Sequence, residues 1–284
     1  MKTEKEKTIL SGVMGWPVSH SLSPKLHGFW LEEHKINGLY TALPVREEDF
    51  SKTLRALGDM GYAGANVTVP HKEAAFKTVD ETDEAAQKTG AVNTVIIKKD
   101  GSLEGRNTDV FGFLENMDDR AHDWDREKGK CVFLGAGGAA RAVCAGLLMR
   151  GFDNILVLNR TEERAVRLVE DLGPGLASAS WSGRNKALEG AGVLVNTTTL
   201  GMKGAAPLDL DLSSLPSGAV VCDIVYTPLQ TALLKRAEER GARIVDGLGM
   251  LIHQARPGFA AWFGVEPQAS ERLRDCLIRD LQIP

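Results

Sequence analysis

The chain has 284 residues, with 34 Lys and Arg against 38 Asp and Glu and a formal net charge of −4. This balance gives no footing for a nucleic-acid backbone, and no basic run is interleaved with aromatics, so nucleic-acid binding is excluded as the main function. No apolar stretch reaches the roughly 18 residues of a membrane span, and the amino terminus (MKTEKEKT) lacks a signal-peptide core, so a cytoplasmic enzyme or binding protein is expected.

The length suits one large domain or two medium ones, each with its own core. In chain order, Thr8 to Gly15 reads as a strand, Pro24 to Lys35 as a helix, Gly38 to Pro44 as a strand and Glu47 to Met60 as a helix. Gly64 to Val69 is a short strand, followed by helices over Lys72 to Val79 and Asp83 to Thr89. Ala91 to Lys98 and Leu103 to Arg106 are strands flanking the turn Lys99-Asp100-Gly101. A helix from Asp109 to Asp118 leads into a charged stretch, Asp118 to Gly129. Strands around Val132, Ile155, Ala177 to Ala179, Val193 to Thr197, Ala219 to Ile224 and Arg243 to Val245 then alternate with helices over Ala139 to Arg150, Thr161 to Leu172 and Thr231 to Arg240. That alternation is the pattern of a doubly wound parallel sheet, and the tail from Gly249 adds helices only. The fold class is therefore α/β, with two α/β domains, the second Rossmann-like, and a cleft between them as the natural place for a substrate to face a cofactor.

The most specific signal lies in that second domain. Lys130 to Leu134 runs directly into Gly135-Ala136-Gly137-Gly138-Ala139-Ala140. Gly135 permits a tight strand-to-helix turn, Gly137 lets a pyrophosphate approach the backbone, and the following helix offers unpaired N–H groups to phosphate. An NAD site carries Asp or Glu at the end of the second strand, whereas here Asn159-Arg160-Thr161 stands 24 positions after Gly135, with Arg164 one helical turn on. A carboxylate would repel a 2′-phosphate and a guanidinium would grip it, so the expected cofactor is NADP(H). The alternative for Arg160 and Arg164 is a solvated helix start paired with Glu162 and Glu163.

The first domain carries polar clusters that a plain core would not need. Ser21 and Ser23 alternate in a loop and can present hydroxyls to a carboxylate, although Ser23 before Pro24 also reads as a helix N-cap. Asn66 and Thr68 share one strand face, and Lys72 follows Pro70 at a strand-to-helix junction, where active groups of α/β folds gather. Asn93 and Asp109 lie at two further strand or loop ends. A set of Lys, Asp, Asn and Thr suits a polyhydroxylated substrate, and an Asp–Lys pair can hold and orient a proton donor for carbonyl reduction. The cysteines (Cys131, Cys144, Cys222, Cys276) are scattered and read as buried small hydrophobes, and His20, His27, His71 and His253 match no metal-ligand spacing, so no metal is expected.

These motifs, taken in order, resemble the shikimate dehydrogenase family nearly end to end. The resemblance is carried by Ser21-x-Ser23-Pro24, Asn66 to Lys72, Gly90 to Thr94, Asn107-Thr108-Asp109, the glycine loop with Asn159-Arg160-Thr161, Asn196 to Met202, Asp223 to Pro228 and Gly249 to Gln254. It implies reversible, NADPH-dependent reduction of 3-dehydroshikimate to shikimate by an oxidoreductase acting on a CH–OH group. It further implies that Ser21, Ser23 and Tyr226 hold the substrate carboxylate, that Thr68, Lys72, Asn93, Asp109 and Gln254 surround its ring oxygens, and that Lys72 and Asp109 are the catalytic pair. Cofactor contacts are implied at Gly135, Ala136, Gly137, Gly138, Ala139, Asn159, Arg160, Thr161, Arg164, Thr198, Met202, Ile224, Gly247, Gly249 and Met250.

The resemblance also implies a substrate domain of residues 1–110 plus 247–284, an NADP domain of residues 111–246, and a monomer or homodimer with a small-molecule substrate. Gly28 and Leu200 depart from residues the family usually carries, which affects loop packing more than chemistry. Ser23 resembles shikimate-specific members, since quinate-using relatives often carry threonine there, a methyl difference worth about 1–3 kcal/mol. The competing readings are a quinate/shikimate or aminoshikimate dehydrogenase and a non-catalytic ligand-sensing module.

Overall fold

The structure is a computed structural model that describes residues 7–281. Its contacts divide into two compact units. Unit one contains the described residues up to Thr108 together with Gln254–Leu277, and unit two contains Asp109–His253 and the described residues from Ile278.

Unit one is built on β1 (Ile9–Gly15), α1 (Ser23–Glu33), β2 (Gly38–Pro44), α2 (Phe50–Ala56), β3 (Gly64–Val67), α3 (Lys72–Thr78), β4 (Glu81–Thr82), α4 (Glu84–Thr89), β5 (Thr94–Ile97) and β6 (Leu103–Arg106). Its sheet runs β2-β1-β3-β5-β6-β4. The pairings β1–β2, β1–β3 and β4–β6 are parallel, whereas β3–β5 and β5–β6 are antiparallel. The core under this sheet gathers Met14, Phe50, Leu54, Ala65, Val67, Val92, Val95 and Leu103. Helix α1 buries Leu26, His27, Trp30 and Leu31, pairs four residues apart on one stripe.

The expected helix from Glu47 to Met60 is shorter. A 3₁₀ turn at Glu47–Asp49 leads into α2, which ends at Ala56. Beyond buried Leu57 the next apolar side chain, Met60, is exposed, so nothing anchors a further turn. The strand expected from Ala91 begins only at Thr94. Val92 and Asn93 instead send their N–H groups to the carbonyls of Lys72 and Arg106. Two-residue β4 gave no periodic pattern to find.

Unit two continues with α5 (Thr108–Arg120), β7 (Lys130–Leu134), α6 (Gly138–Met149), β8 (Ile155–Asn159), α7 (Glu162–Leu172), β9 (Leu176–Ser180), α8 (Arg184–Ala187), β10 (Ala191–Asn196), β11 (Val220–Asp223), α9 (Ala232–Glu239) and β12 (Arg243–Val245). Its sheet runs β12-β11-β10-β7-β8-β9 and every pairing is parallel. Successive strand side chains point to opposite faces. Accordingly Cys131, Phe133, Ile155, Val157, Val193, Val195, Val220 and Cys222 join one core, with Phe113, Met117, Cys144 and Leu147 of the helices. Val132, Leu134, Leu158, Leu194 and Val221 join the other, with Leu233, Leu234 and Ala237 of α9. Burial on both faces explains why these strands read as continuous apolar runs. The strand order reverses about β7, which has β8 on one side and β10 on the other, and ligands of such sheets bind beyond the carboxyl ends at that reversal.

The chain ends with α10 (Gly247–Phe263) and α11 (Glu271–Leu281). The division into units falls within α10, between His253 and Gln254. In unit one, Trp262 of α10 donates its ring N–H to the Val95 carbonyl at 3.0 Å. No helix among the described residues is long and apolar enough to cross a membrane.

Candidate active site

In unit one, three of the expected substrate residues, Ser23, Asn93 and Gln254, lie along a buried hydrogen-bond network. Ser23 does not cap the helix that it and Pro24 begin. Helix α1 starts at Ser23 with Leu22 as its cap residue, and no side chain caps it there. It is the Ser21 hydroxyl that accepts the Ser23 N–H, at 3.2 Å. Ser23 is buried and its hydroxyl bonds to that of Tyr40. Tyr40 in turn donates to Asn66 Oδ1 at 2.6 Å, and Asn66 Nδ2 reaches Thr94 Oγ1 at 3.0 Å and the Asn93 carbonyl at 3.2 Å.

Asn93 continues the chain. Its Oδ1 accepts the Thr108 N–H at 2.7 Å and the Thr108 and Thr94 hydroxyls at 3.1 and 3.2 Å. Its Nδ2 donates to Gln254 Oε1 at 3.3 Å. The network thus links Ser23 to Asn93 and Gln254 through buried Thr94 and through Tyr40, which the sequence did not single out. The His27 ring, wholly buried, stacks on Tyr40 with centroids 3.8 Å apart. Burial holds its pKa down at about 3, and neither ring nitrogen has a hydrogen-bond partner among the described residues. Tyr40→Phe should lower unfolding free energy by about 1–3 kcal/mol in urea titrations, because Asn66 then keeps a buried acceptor without its donor.

Thr68 lies one residue beyond β3, which ends at Val67, and its N–H donates to the Met14 carbonyl at 2.9 Å. Lys72, half-buried, opens α3, and its carbonyl anchors Val92. The adjacent His71 is structural: its Nε2 lies 2.7 Å from the Val45 carbonyl and its ring stacks on Phe50.

In unit two, Asp109 is buried in the first turn of α5. Tyr226 is half-buried just past β11, and burial raises its phenol pKa. The expected cofactor residues Gly135, Ala136, Gly137, Asn159, Arg160, Thr161, Arg164 and Thr198 line one cavity of about 470 Å³. Gly135 has φ +113°, and a Cβ there would lie 2.6 Å from Thr197 Oγ1, so only glycine fits this turn. A Cβ on Gly137 or Gly138 would meet nothing within 4 Å, and no side chain caps the start of α6. The turn therefore presents open space and uncapped N–H groups, the two things a pyrophosphate requires. Arg160 and Arg164 are exposed, and their guanidinium groups form no ion pair or hydrogen bond among the described residues. The alternative pairing with Glu162 and Glu163 is not made. Asn159 Nδ2 instead donates to the Thr161 carbonyl at 2.8 Å, which shapes the bend that carries Arg160.

Gly138, Ala139, Ile224, Gly247, Gly249 and Met250 do not line this cavity. Met202 lines a neighbouring one of about 360 Å³ that shares Leu200 and Pro207 with the first. A Cβ on Gly247 would lie 2.1 Å from the Ile224 carbonyl oxygen, and one on Gly249 would lie 1.8 Å from Asn116 Oδ1. Both glycines are thus required by close packing inside unit two, and Met250 packs against its first core.

The loop carrying Thr198 and Met202 is held by Asn196 and Asp223, the first residues of two of the motifs, whose pairing the sequence did not reveal. Asn196 Oδ1 accepts the Thr198 N–H and hydroxyl at 3.1 and 2.7 Å, while its Nδ2 donates to the Leu200 carbonyl and to Asp223 Oδ1. Asp223 also accepts from the Thr231 hydroxyl at 2.7 Å and the Val225 N–H at 3.1 Å, and burial raises its pKa. Trp181, Arg184, Pro207 and Asp209 complete the wall of the larger cavity and were likewise not anticipated.

Family and relatives agree with one another. Residues 13–95 match the family model of the shikimate dehydrogenase substrate-binding domain, and residues 119–200 match that of shikimate/quinate 5-dehydrogenase. The shikimate dehydrogenase (NADP(+)) of Paramagnetospirillum magneticum is 56% identical over 268 residues, covering 94% of this chain and 97% of the relative. A solved shikimate 5-dehydrogenase from Thermus thermophilus, in complex with NADP(H) and shikimate, superposes with a TM-score of 0.84 at 35% identity, covering 96% of this chain and 99% of that one. A quinate dehydrogenase from Corynebacterium glutamicum, in complex with NAD, superposes with a TM-score of 0.89 at 30% identity, covering 96% and 99%.

Proposed function

Because the chain belongs to the shikimate dehydrogenase family, we infer that it catalyses the reversible NADPH-dependent reduction of 3-dehydroshikimate to shikimate. The observation that carries the cofactor choice is the unit-two cavity, where an open glycine turn stands beside two guanidinium groups with unspent donors and no carboxylate follows β8 at position 159 or 160. Arg160 and Arg164 hold the 2′-phosphate, and Gly135 to Ala139 hold the pyrophosphate. When bound, NADPH supplies hydride to the C3 carbonyl carbon.

Lys72 donates a proton from its ammonium to the oxygen that becomes the C3 hydroxyl, and it recovers that proton from solvent or from the alcohol in the reverse direction. Asp109 accepts a hydrogen bond from a ring hydroxyl. Ser21, Ser23 and Tyr226 hold the carboxylate, and Thr68, Asn93 and Gln254 take the remaining ring oxygens. The network from Ser23 to Gln254 supports this reading, because it fixes Ser23, Asn93 and Gln254 before substrate arrives. Thr198, Met202, Ile224, Gly247, Gly249 and Met250 form the nicotinamide side.

The test is a matrix of shikimate and quinate against NADP and NAD, followed at 340 nm. Shikimate with NADP should dominate, and absence of turnover with that pair would sink the assignment. Quinate turnover equal to shikimate turnover would favour the quinate/shikimate reading that the Corynebacterium structure raises. Arg160→Ala should raise KM for NADP roughly 10- to 100-fold while changing that for NAD little, since a charge-assisted phosphate contact is lost in one case only. Equal losses would return Arg160 to the protein surface.

A further inference from the structure

Two stretches of unit two carry groups assigned above to opposite partners of the reaction. The Thr198 to Met202 loop follows β10 and serves the nicotinamide, and Tyr226 follows β11 and serves the substrate carboxylate. Neither stretch is helix or strand, so no ladder of backbone bonds fixes its shape. We propose that Asp223 is the positioning residue for both stretches, with Asn196 carrying its hold to the nicotinamide loop. This rests on the reading of the site given above.

The two ties meet at one oxygen. Asp223 Oδ1 accepts Asn196 Nδ2 at 3.0 Å and the Val225 N–H at 3.1 Å. The second bond sets the turn that leads from β11 into Tyr226. The first passes through an amide whose orientation is unambiguous. Asn196 Oδ1 faces the Thr198 N–H, which only donates, and its Nδ2 faces the Leu200 carbonyl, which only accepts. Thr198 is thereby engaged twice. Its hydroxyl gives its proton to Asn196 Oδ1 at 2.7 Å and takes the Leu200 N–H at 3.1 Å, so it shapes the loop and has no proton left for a ligand. Backbone bonds close the assembly, from the Lys203 N–H to the Thr227 carbonyl at 2.7 Å and from the Ile224 N–H to the Asn196 carbonyl at 3.1 Å. Asn196 and Asp223 are wholly buried and act through the stretches they hold.

Substitutions separate the two ties. Asn196→Ala cuts the tie to the nicotinamide loop alone, because Val225 keeps its bond to Asp223. Asp223→Ala cuts both. Asp223→Asn keeps both, since the amide oxygen takes the place of Oδ1 and the amide N–H faces the Thr231 hydroxyl, which has lone pairs to accept it. Thr231→Val removes the remaining bond to Asp223 and the cap of α9, which lowers stability without touching either tie.

The test is steady-state oxidation of shikimate by the full chain at saturating NADP, with isothermal titration of adenosine 2′,5′-bisphosphate to read the phosphate end alone. Asn196→Ala should lower kcat roughly 10- to 100-fold, the cost of a misplaced reacting ring, with KM for shikimate changed less than about 3-fold. Asp223→Ala should show the same loss in kcat and also raise KM for shikimate roughly 10-fold, the worth of a charge-assisted hydrogen bond from Tyr226. Asp223→Asn and Thr231→Val should stay near wild type in both constants. Affinity for the bisphosphate should be the same in every variant, which a general loss of structure would not allow. Should Asp223→Ala not fold, Asp223→Ser takes its place, because its hydroxyl is too short to hold both donors. Unchanged kinetics in the Asp223 variant, an equal defect in Thr231→Val, or a rise in shikimate KM in Asn196→Ala that matches it would overturn the proposal. Absence of shikimate oxidation by the wild type is the separate result that overturns the reading of the site itself.

Discussion

Lys72→Ala should lower kcat for 3-dehydroshikimate reduction by roughly 10²- to 10⁴-fold, the range supplied by a positioned proton donor. The effect should fall on kcat more than on the Kd for NADPH, because the groups proposed to hold the phosphates, Gly135 to Ala139, Arg160 and Arg164, are untouched. Lys72→Arg should not restore activity: guanidinium keeps the charge but does not release a proton at neutral pH. Near-normal turnover in the alanine variant would remove the proton-donor role. Single-turnover measurement of hydride transfer distinguishes a chemical defect from slow product release.

Acid should destabilise the protein through His27, and His27→Phe should suppress most of that loss. The folded pKa of His27 is depressed from 6.5 to about 3 by burial, so the unfolded chain takes up a proton there that the folded protein refuses. Stability from this group is therefore intact above 6.5 and falls as pH drops between 6.5 and about 3. The slope is about 1.4 kcal/mol per pH unit, or nearly 3 kcal/mol by pH 4.5. Phenylalanine retains the stack on Tyr40 and the contacts with Trp30, Phe259 and Trp262, all aromatic neighbours. Urea unfolding at pH 7 and pH 4.5 measures the difference, and parallel losses in wild type and His27→Phe would show that His27 does not carry it.

Most of unit two was legible in advance because its signals are local. A doubly buried parallel strand needs an unbroken apolar run, as in Cys131 to Leu134, and the turn after it needs glycine at 135 for steric reasons confined to a few residues. Likewise the absence of a carboxylate at 159 and 160 is readable without coordinates. Unit one was less so. The antiparallel return of β5 against β3 leaves no mark distinguishing it from a parallel neighbour, since pairing direction belongs to the sheet and not to one strand. Ser23 could be read either as the cap of α1 or as a carboxylate ligand, and it is the Ser21 hydroxyl that takes the Ser23 N–H, a choice made by how the loop enters the helix.

The order of the motifs, the two α/β units, the nucleotide turn and the candidate proton donor were determined by residue types at fixed spacing, because backbone sterics and charge act over a few bonds. Three features had to wait for tertiary structure: the link from Ser23 through Tyr40 and Asn66 to Gln254, the Asn196–Asp223 brace under the Thr198 loop, and the Trp181–Arg184–Asp209 wall. Each joins side chains far apart in sequence whose partners are set only when strands are placed side by side. A buried polar group is worth little alone and much when paired, so its meaning depends on the partner that folding brings to it.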